Sequence, residues 1–343
     1  MIRAVGLLIA LTVLLSGCTR YSRDIFWENK VKSTPYENTE RIVKPELWSD
    51  DNITYAWLGH ATVLINFDGT MILTDPVLHE RIGPPEIFDN LFGIKRLVQL
   101  PINIEDFPDI DLVLVSHPHF DHLDLASLHS LEKQDDFSLI VPALNIQLID
   151  DDFVNVLELD WFGRAETSIT FDNMTITAFR VEHYGYAPWG DRDVKRGFNG
   201  YLISSKNNRH IAFFGDTSYS RYRDENGDVL DKPLSINWKE KFSPEVLQSG
   251  IDLCIIPIGD SYYYWNHISP ENAVRLANEL NCKKLLPIHY STFLLTPADD
   301  EVVKPKERLL KTLYKLDQMN LVKCTTLQHL SDFPGIGTSC KLP

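Results

Sequence analysis

Positive charge is scarce in this sequence. Its 33 Lys and Arg side chains stand against 48 Asp and Glu, a formal net charge of -15. A chain this acidic lacks the basic face that phosphate backbones require, so nucleic acid is excluded as the expected partner. Surface charge alone does not carry it to an anionic bilayer either. Cysteine is also sparse, with 5 residues and no Cys-x-x-Cys pair, which argues against a structural zinc knuckle. The apolar segment near the N-terminus, Val5 to Leu15, is too short to span a bilayer comfortably. From Leu47 onward there is no linker, low-complexity tract or short repeat, and one large domain is expected.

What is present begins with "MIRAVGLLIALTVLLSGC": one cation, an apolar core, then small residues before Cys18. That is the pattern of a secretory signal. Leu15-Ser16-Gly17-Cys18 resembles a bacterial lipobox, which implies removal of residues 1–17 and lipidation of Cys18. Thr19 after the cysteine resembles outer-membrane sorting, so the expected location is the bacterial cell envelope, anchored by lipid and facing the periplasm. Residues 18–46 read as a polar tether and 47–343 as the folded body. Cys254, in "DLCIIPI", reads as a small buried core residue. Cys324 and Cys340 bracket a short stretch and are a candidate pair in an oxidising compartment.

Strand-like runs dominate the body: "TYAWLG", "TVLINFDGTMILTD" with an Asp68-Gly69 hairpin signal, "LVLVSH", "SLIVPA", "MTITAFRVEH", "GYLISS", "HIAFFGD", "DLCIIPIGD" and "KLLPIH". In "SPENAVRLANEL", Ser269 suits an N-cap, Pro270 the first helical position and Glu271 the first turn, with Val274, Ala277 and Leu280 as the buried stripe. A further helix is expected around "KERLLKTLYKLDQM". The balance is α/β, with sheets packed between helical layers.

Four of these runs end on a metal-capable side chain: His117, His183, Asp216 and His289. Ligand sites of α/β proteins gather at such strand ends, where side chains are held by the sheet yet reach open space. The stretch "HPHFDH" adds density. His117 and His119, at i and i+2, emerge on one side of an extended chain and can share an ion. Asp121 and His122 follow at the turn and can face a second. Imidazoles with a carboxylate favour zinc, with manganese and iron as alternatives. His79, His129, His210 and His329 have no such company and read as structural or solvated.

Together, His117-Pro118-His119-Phe120-Asp121-His122, His183, Asp216 and His289 resemble the ligand set of the metallo-β-lactamase fold superfamily. "WLGHATVLINFDGTMILTDPVL", "GDTSYS" and "IPIGDSYYYWNHISPENAV" resemble its N-acylphosphatidylethanolamine-hydrolysing phospholipase D branch and the bacterial lipoprotein relatives. The resemblance implies a metallo-β-lactamase-like αββα sandwich, two mixed sheets face to face with helices outside. It implies two divalent ions, one on His117, His119 and His183, the other on Asp121, His122 and His289, with Asp216 bridging. Asp75 matches an aspartate that orients the metal loop, His60 a residue close to the site, and His267 a histidine that binds or protonates the leaving group.

The expected function is therefore a binuclear phosphodiesterase of phospholipase D type, in which a hydroxide between the ions attacks a phospholipid or similar amphiphile. Asp121 and His267 are the catalytic candidates. Tyr262, Tyr263, Tyr264, Trp265 and Trp189 are candidates for the wall that meets acyl chains. Pro118 and Phe120 depart from the Asn and Tyr frequent in that branch, which leaves the substrate open. A lactonase or other carbonyl-ester hydrolase, a mononuclear iron oxygenase and a non-catalytic envelope lipoprotein are the alternatives.

Overall fold

The computed structural model describes residues 42–83, 93–132, 136–185, 194–218, 242–259, 267–293, 305–326 and 335–342. Two mixed sheets pack face to face with helices outside, the αββα sandwich expected above. In the first, strands β1 (Ile53–Gly59), β2 (Thr62–Phe67) and β3 (Thr70–Thr74) form an antiparallel meander. Beside it lies a small hairpin of β4 (Arg81–Ile82) and β5 (Ile94–Lys95). Strands β6 (Leu112–Leu114), β7 (Ser138–Pro142) and β8 (Val156–Leu159) continue the first sheet in parallel from β3. The second sheet contains β9 (Ser168–Phe171), β10 (Met174–Phe179), β11 (Gly200–Ser205), β12 (His210–Phe213), β13 (Leu253–Pro257) and β14 (Leu285–Ile288). β15 (Thr325–Thr326) and β16 (Ser339–Lys341) complete the first sheet outside β1.

Alternation explains why these strands read as unbroken apolar runs. In β2, Val63, Ile65 and Phe67 enter the core between the sheets, while Leu64 enters the outer core. Leu112 and Leu114 against Val113 and Val115 repeat the pattern. Both faces are covered, so neither alternate set can be polar. Helix α1 (Leu125–Glu132) covers the outer face of the first sheet through Leu128 and Leu131. Helices α2 (Pro244–Ser249), α3 (Pro270–Glu279) and α4 (Pro305–Lys315) bring Val246, Val274, Leu276, Leu309 and Leu313 against the second sheet, in one cluster with Cys254 and Leu286. Ser269 caps α3 by accepting from the Asn272 N–H, and Asp68 and Gly69 both take positive φ, 56° and 90°, in the β2–β3 turn.

Several expectations change. The strands stop before the ligands: β6 at Leu114, β10 at Phe179 and β12 at Phe213, with only β14 reaching the residue before His289. Beyond those points the side chains leave the sheet faces and turn to the rim. Helix α1 was not anticipated. Val43 and Pro45, assigned to the tether, are buried, with Val43 N–H donating to the Pro101 carbonyl. Cys254 is buried but not a lone thiol, because it is bonded to Cys282 across the turn before β14. Cys324 and Cys340 form the second disulfide. Among the described residues no helix is long and apolar enough to cross a membrane.

Candidate metal centre

The rim site starts from Asp75, at the end of β3. Its backbone is left-handed, φ 34°, and its N–H donates to the Leu114 carbonyl at the end of β6. The carboxylate thereby faces the metal-loop segment. Oδ1 accepts the Ser116 N–H at 2.6 Å, and Oδ2 accepts the Ser116 hydroxyl at 2.6 Å and His122 Nδ1–H at 2.6 Å. The one Ser116 hydroxyl proton is then committed, so Ser116 Oγ accepts from His117 Nδ1 at 2.9 Å. One buried carboxylate thus sets the tautomers of two rings and leaves Nε2 of each pointing into the cluster. The expected orienting role of Asp75 has this structural form.

Past His117 the chain turns tightly, with the N–H groups of His122 and Leu123 both donating to the His119 carbonyl. His117 Nε2 lies 2.8 Å from His119 Nδ1, which lies 3.3 Å from His183 Nε2. Tetrahedral nitrogen ligands at zinc stand about 3.3 Å apart, so these three atoms have the spacing of a shared ion. His183 is brought there by hydrogen bonds from Glu182 N–H to Thr217 Oγ1 and from Ser218 N–H to the Glu182 carbonyl. The ring of Tyr184 stacks on that of His183, centroids 4.7 Å apart.

Opposite lies a second group: His60, Asp121, His122 and His289. Asp121 Oδ2 is 2.9 Å from His60 Nε2, 3.5 Å from His289 Nε2 and 3.6 Å from His122 Nε2. Between the groups sits Asp216. Its Oδ2 is 3.4 Å from His122 Nε2, 3.8 Å from His183 Nε2 and 3.9 Å from His117 Nε2, while Oδ1 is 3.3 Å from His289 Nε2. Gly215 makes that reach feasible. It takes φ 54°, and a Cβ there would collide with the Ser116 side chain.

The donors fit a metal-binding role. His122 Nε2, His289 Nε2 and Asp216 Oδ1 are buried without a hydrogen-bond partner, although the groups around them are strongly polar. Such atoms are costly unless something else binds them. Burial pulls His117 and His183 well below the usual imidazole range and His119 to about 4, which keeps their lone pairs free. Burial also opposes charge on His289, yet Asp216 and Asp121 outweigh it and raise that ring to about 9. His289 and His122 hold Asp216 well below the carboxylate range against the cost of its burial.

His267 joins this cluster from just before α3. Its Nε2 is 3.5 Å from Asp216 Oδ2 and its ring centroid 4.6 Å from that of His289. Burial, then His289, lowers it to about 4 against the pull of Asp216. The structure therefore brings together His117, His119, Asp121, His122, His183, Asp216, His289, Asp75, His60 and His267. Tyr262, Tyr263, Tyr264, Trp265, Trp189 and Cys18 lie outside the described residues, as does His329. His79, His129 and His210 stand apart, against Ser130, Asp150 and Ser204. Phe120 packs on Val77, Ile82 and Phe293, so it anchors the loop to the β4–β5 hairpin.

Ser116, Arg96 and Thr292 escaped the sequence reading. Ser116 carried one signal, its place directly before the first histidine. Arg96 in "GIKRLVQL" and Thr292 carried none, because their partners are remote in sequence.

An αββα sandwich with histidines and carboxylates gathered on one rim is the arrangement of the metallo-β-lactamase fold. The chain belongs to the β-lactamase superfamily, whose domain model matches residues 70–290. It is 29% identical over 279 residues to N-acyl-phosphatidylethanolamine-hydrolyzing phospholipase D 1 of Caenorhabditis elegans, covering 78% of this chain and 72% of that one. A mitochondrial N-acyl-phosphatidylethanolamine-hydrolyzing phospholipase D of Saccharomyces cerevisiae is 28% identical over 267 residues, 74% of this chain. The match spans only 50% of the yeast protein. A possible metal-dependent hydrolase from Veillonella parvula shares the fold, with a TM-score of 0.58 at 16% identity over 85% of this chain and 100% of that one.

Proposed function

We propose that the protein is a metal-dependent phosphodiesterase of phospholipase D type, acting on a phospholipid or similar amphiphile. The observation that carries this reading is the position of Asp216, whose carboxylate lies within 4 Å of nitrogens from both histidine groups. The relatives named for hydrolysis of N-acyl-phosphatidylethanolamine support the substrate class.

His117, His119 and His183 would hold one divalent ion, Asp121, His122 and His289 the other, and Asp216 both. Such a pair supplies positive charge against phosphoryl oxygens and makes a coordinated water more acidic. Around it the chain does the positioning. Asp75 and Ser116 hold the rings of His117 and His122 in one orientation. His267, lowered to about 4, is a neutral imidazole at pH 7 whose N–H is available to the leaving alcohol oxygen. The imidazole majority favours zinc over manganese or iron. A lipid anchor at Cys18, on the periplasmic side of an outer membrane, would keep this site beside its substrate, and two disulfides suit that oxidising compartment.

The test pairs metal analysis of chelator-free protein with turnover on phosphodiester, phospholipid and lactone panels. Two ions per chain and phospholipid cleavage lost in Asp216→Ala are expected. Undiminished turnover in that variant sinks the mechanism, and lactone hydrolysis without phosphodiester hydrolysis reassigns the reaction.

A further inference from the structure

His60 touches the second group of donors without belonging to the expected ligand set. It sits in the turn between β1 and β2, 2% exposed, with a left-handed backbone at φ 51°. That conformation is uncommon for a non-glycine residue, and contacts around it help to hold it. Here they do so from several directions. The His60 N–H donates to Thr292 Oγ1 at 2.7 Å, and its carbonyl accepts from Trp57 Nε1 at 2.9 Å and from the His289 N–H at 2.8 Å. The ring packs on His289, centroids 4.1 Å apart, and edge-on to Phe293 at 5.4 Å.

Beneath the turn lies Arg96, a guanidinium only 2% exposed. It donates to the carbonyls of Leu58, Val77 and Val98, joining the His60 turn to the segment after Asp75. Its guanidinium carbon lies 5.6 Å from the Phe293 ring centroid. A Cβ on Gly59, φ 111°, would strike Arg96 Nη2, so the turn and the cation are fitted to each other. Besides His289, the His60 ring meets His122 edge-on, centroids 5.2 Å apart, and Asp121 Oδ2 at 2.9 Å, all members of the second group of donors.

We propose that Arg96 and His60 act as one positioning device for the second ion. Arg96 fixes the Gly59–His60 turn, and His60 donates Nε2–H to Asp121 Oδ2, orienting that carboxylate between His122 and His289. The device rests on the two-ion reading above. A carboxylate oxygen has lone pairs for both a hydrogen bond and a metal, so His60 holds Asp121 without displacing an ion from it. Outer partners of this kind typically contribute about 10–100-fold in metal affinity.

The test is a zinc titration of the full chain against a competing chelator, resolving the two dissociation constants, with circular dichroism to verify folding. Wild type binding fewer than two ions overturns the two-ion reading itself. Given two, His60→Ala weakens the second ion about 10–100-fold and leaves the first within about threefold. His60→Gln keeps an N–H donor at the same reach and restores the second ion. Arg96→Lys, whose donors all sit on one nitrogen and do not span the carbonyls reached by Nε, Nη1 and Nη2, weakens the same ion. Combined with His60→Ala it adds nothing further, because both act on Asp121 through one contact. Equal losses in His60→Gln and His60→Ala make His60 a ligand and overturn the proposal. So does an unchanged second ion in His60→Ala, or an additive loss in the double variant.

Discussion

His122 Nδ1 lies 2.6 Å from Asp75 Oδ2, with both side chains wholly enclosed. A carboxylate accepts, so the ring must donate from Nδ1 and turn Nε2 to the cluster. The same oxygen reaches His117 through the Ser116 hydroxyl. Asp75→Asn keeps the shape but offers a neutral amide that can fill only part of this role. The expected outcome is a loss of about 10–100-fold in zinc affinity with the fold retained, read by competition titration and circular dichroism. Unchanged affinity would show that the ring tautomers are set elsewhere.

Protonation should oppose metal uptake in a defined window. His289 is raised to about 9, and His122 is also raised well above its ordinary value by Asp216, Asp121 and Asp75 despite the cost of burial. For chelator-stripped protein the His289 contribution to stability is complete below about pH 6.5 and is lost as pH rises through about 9. Its Tm should therefore fall across that range while zinc affinity climbs. Calorimetry in buffers of different ionisation enthalpy should detect protons released on binding at pH 7. An absence of release would contradict the raised values.

Gly215 is the narrow point between strand and ligand. Gly215→Ala puts a methyl group against Ser116 on a residue with φ 54°. A cost of about 1–3 kcal/mol in urea unfolding is expected, with displacement of Asp216 and loss of bound metal. A variant as stable and metal-rich as wild type would show that the two chain segments part easily.

The disulfides lock the second sheet and the outer edge of the first. Cys254–Cys282 closes 28 residues of sequence separation and Cys324–Cys340 closes 16. Reduction should lower stability by about 2–4 kcal/mol per bridge lost, measured as a shift of the urea midpoint with and without reductant. Cys254→Ser should reproduce part of the shift, and a midpoint insensitive to reductant would count against the bridges.

Much of the centre was legible because metal chemistry restricts residue type. Few side chains besides histidine and carboxylate hold a hard or borderline ion, and HxHxDH places four of them within one turn of chain. The remaining three were marked by their place at the ends of apolar runs. Asp75 and His267 were visible only through resemblance, since one aspartate before a proline or one histidine before a helix is common. The exact ends of the strands were not legible, because a run such as "LVLVSH" stays apolar past the point where pairing stops at Leu114.

By itself the sequence determined the α/β class, the hairpin at Asp68-Gly69, the capped helix at Ser269 and the identity of the clustered donors, since local periodicity and local chemistry suffice for each. Tertiary structure decided which donors face which. Asp216 stands between two groups because Gly215 passes Ser116 closely. His60 meets Asp121 because Thr292, 232 residues away, and Arg96 hold its turn. Cys254 finds Cys282 only once β13 and β14 lie side by side. These contacts join segments whose separation is set by the whole fold, and no local pattern encodes such distances.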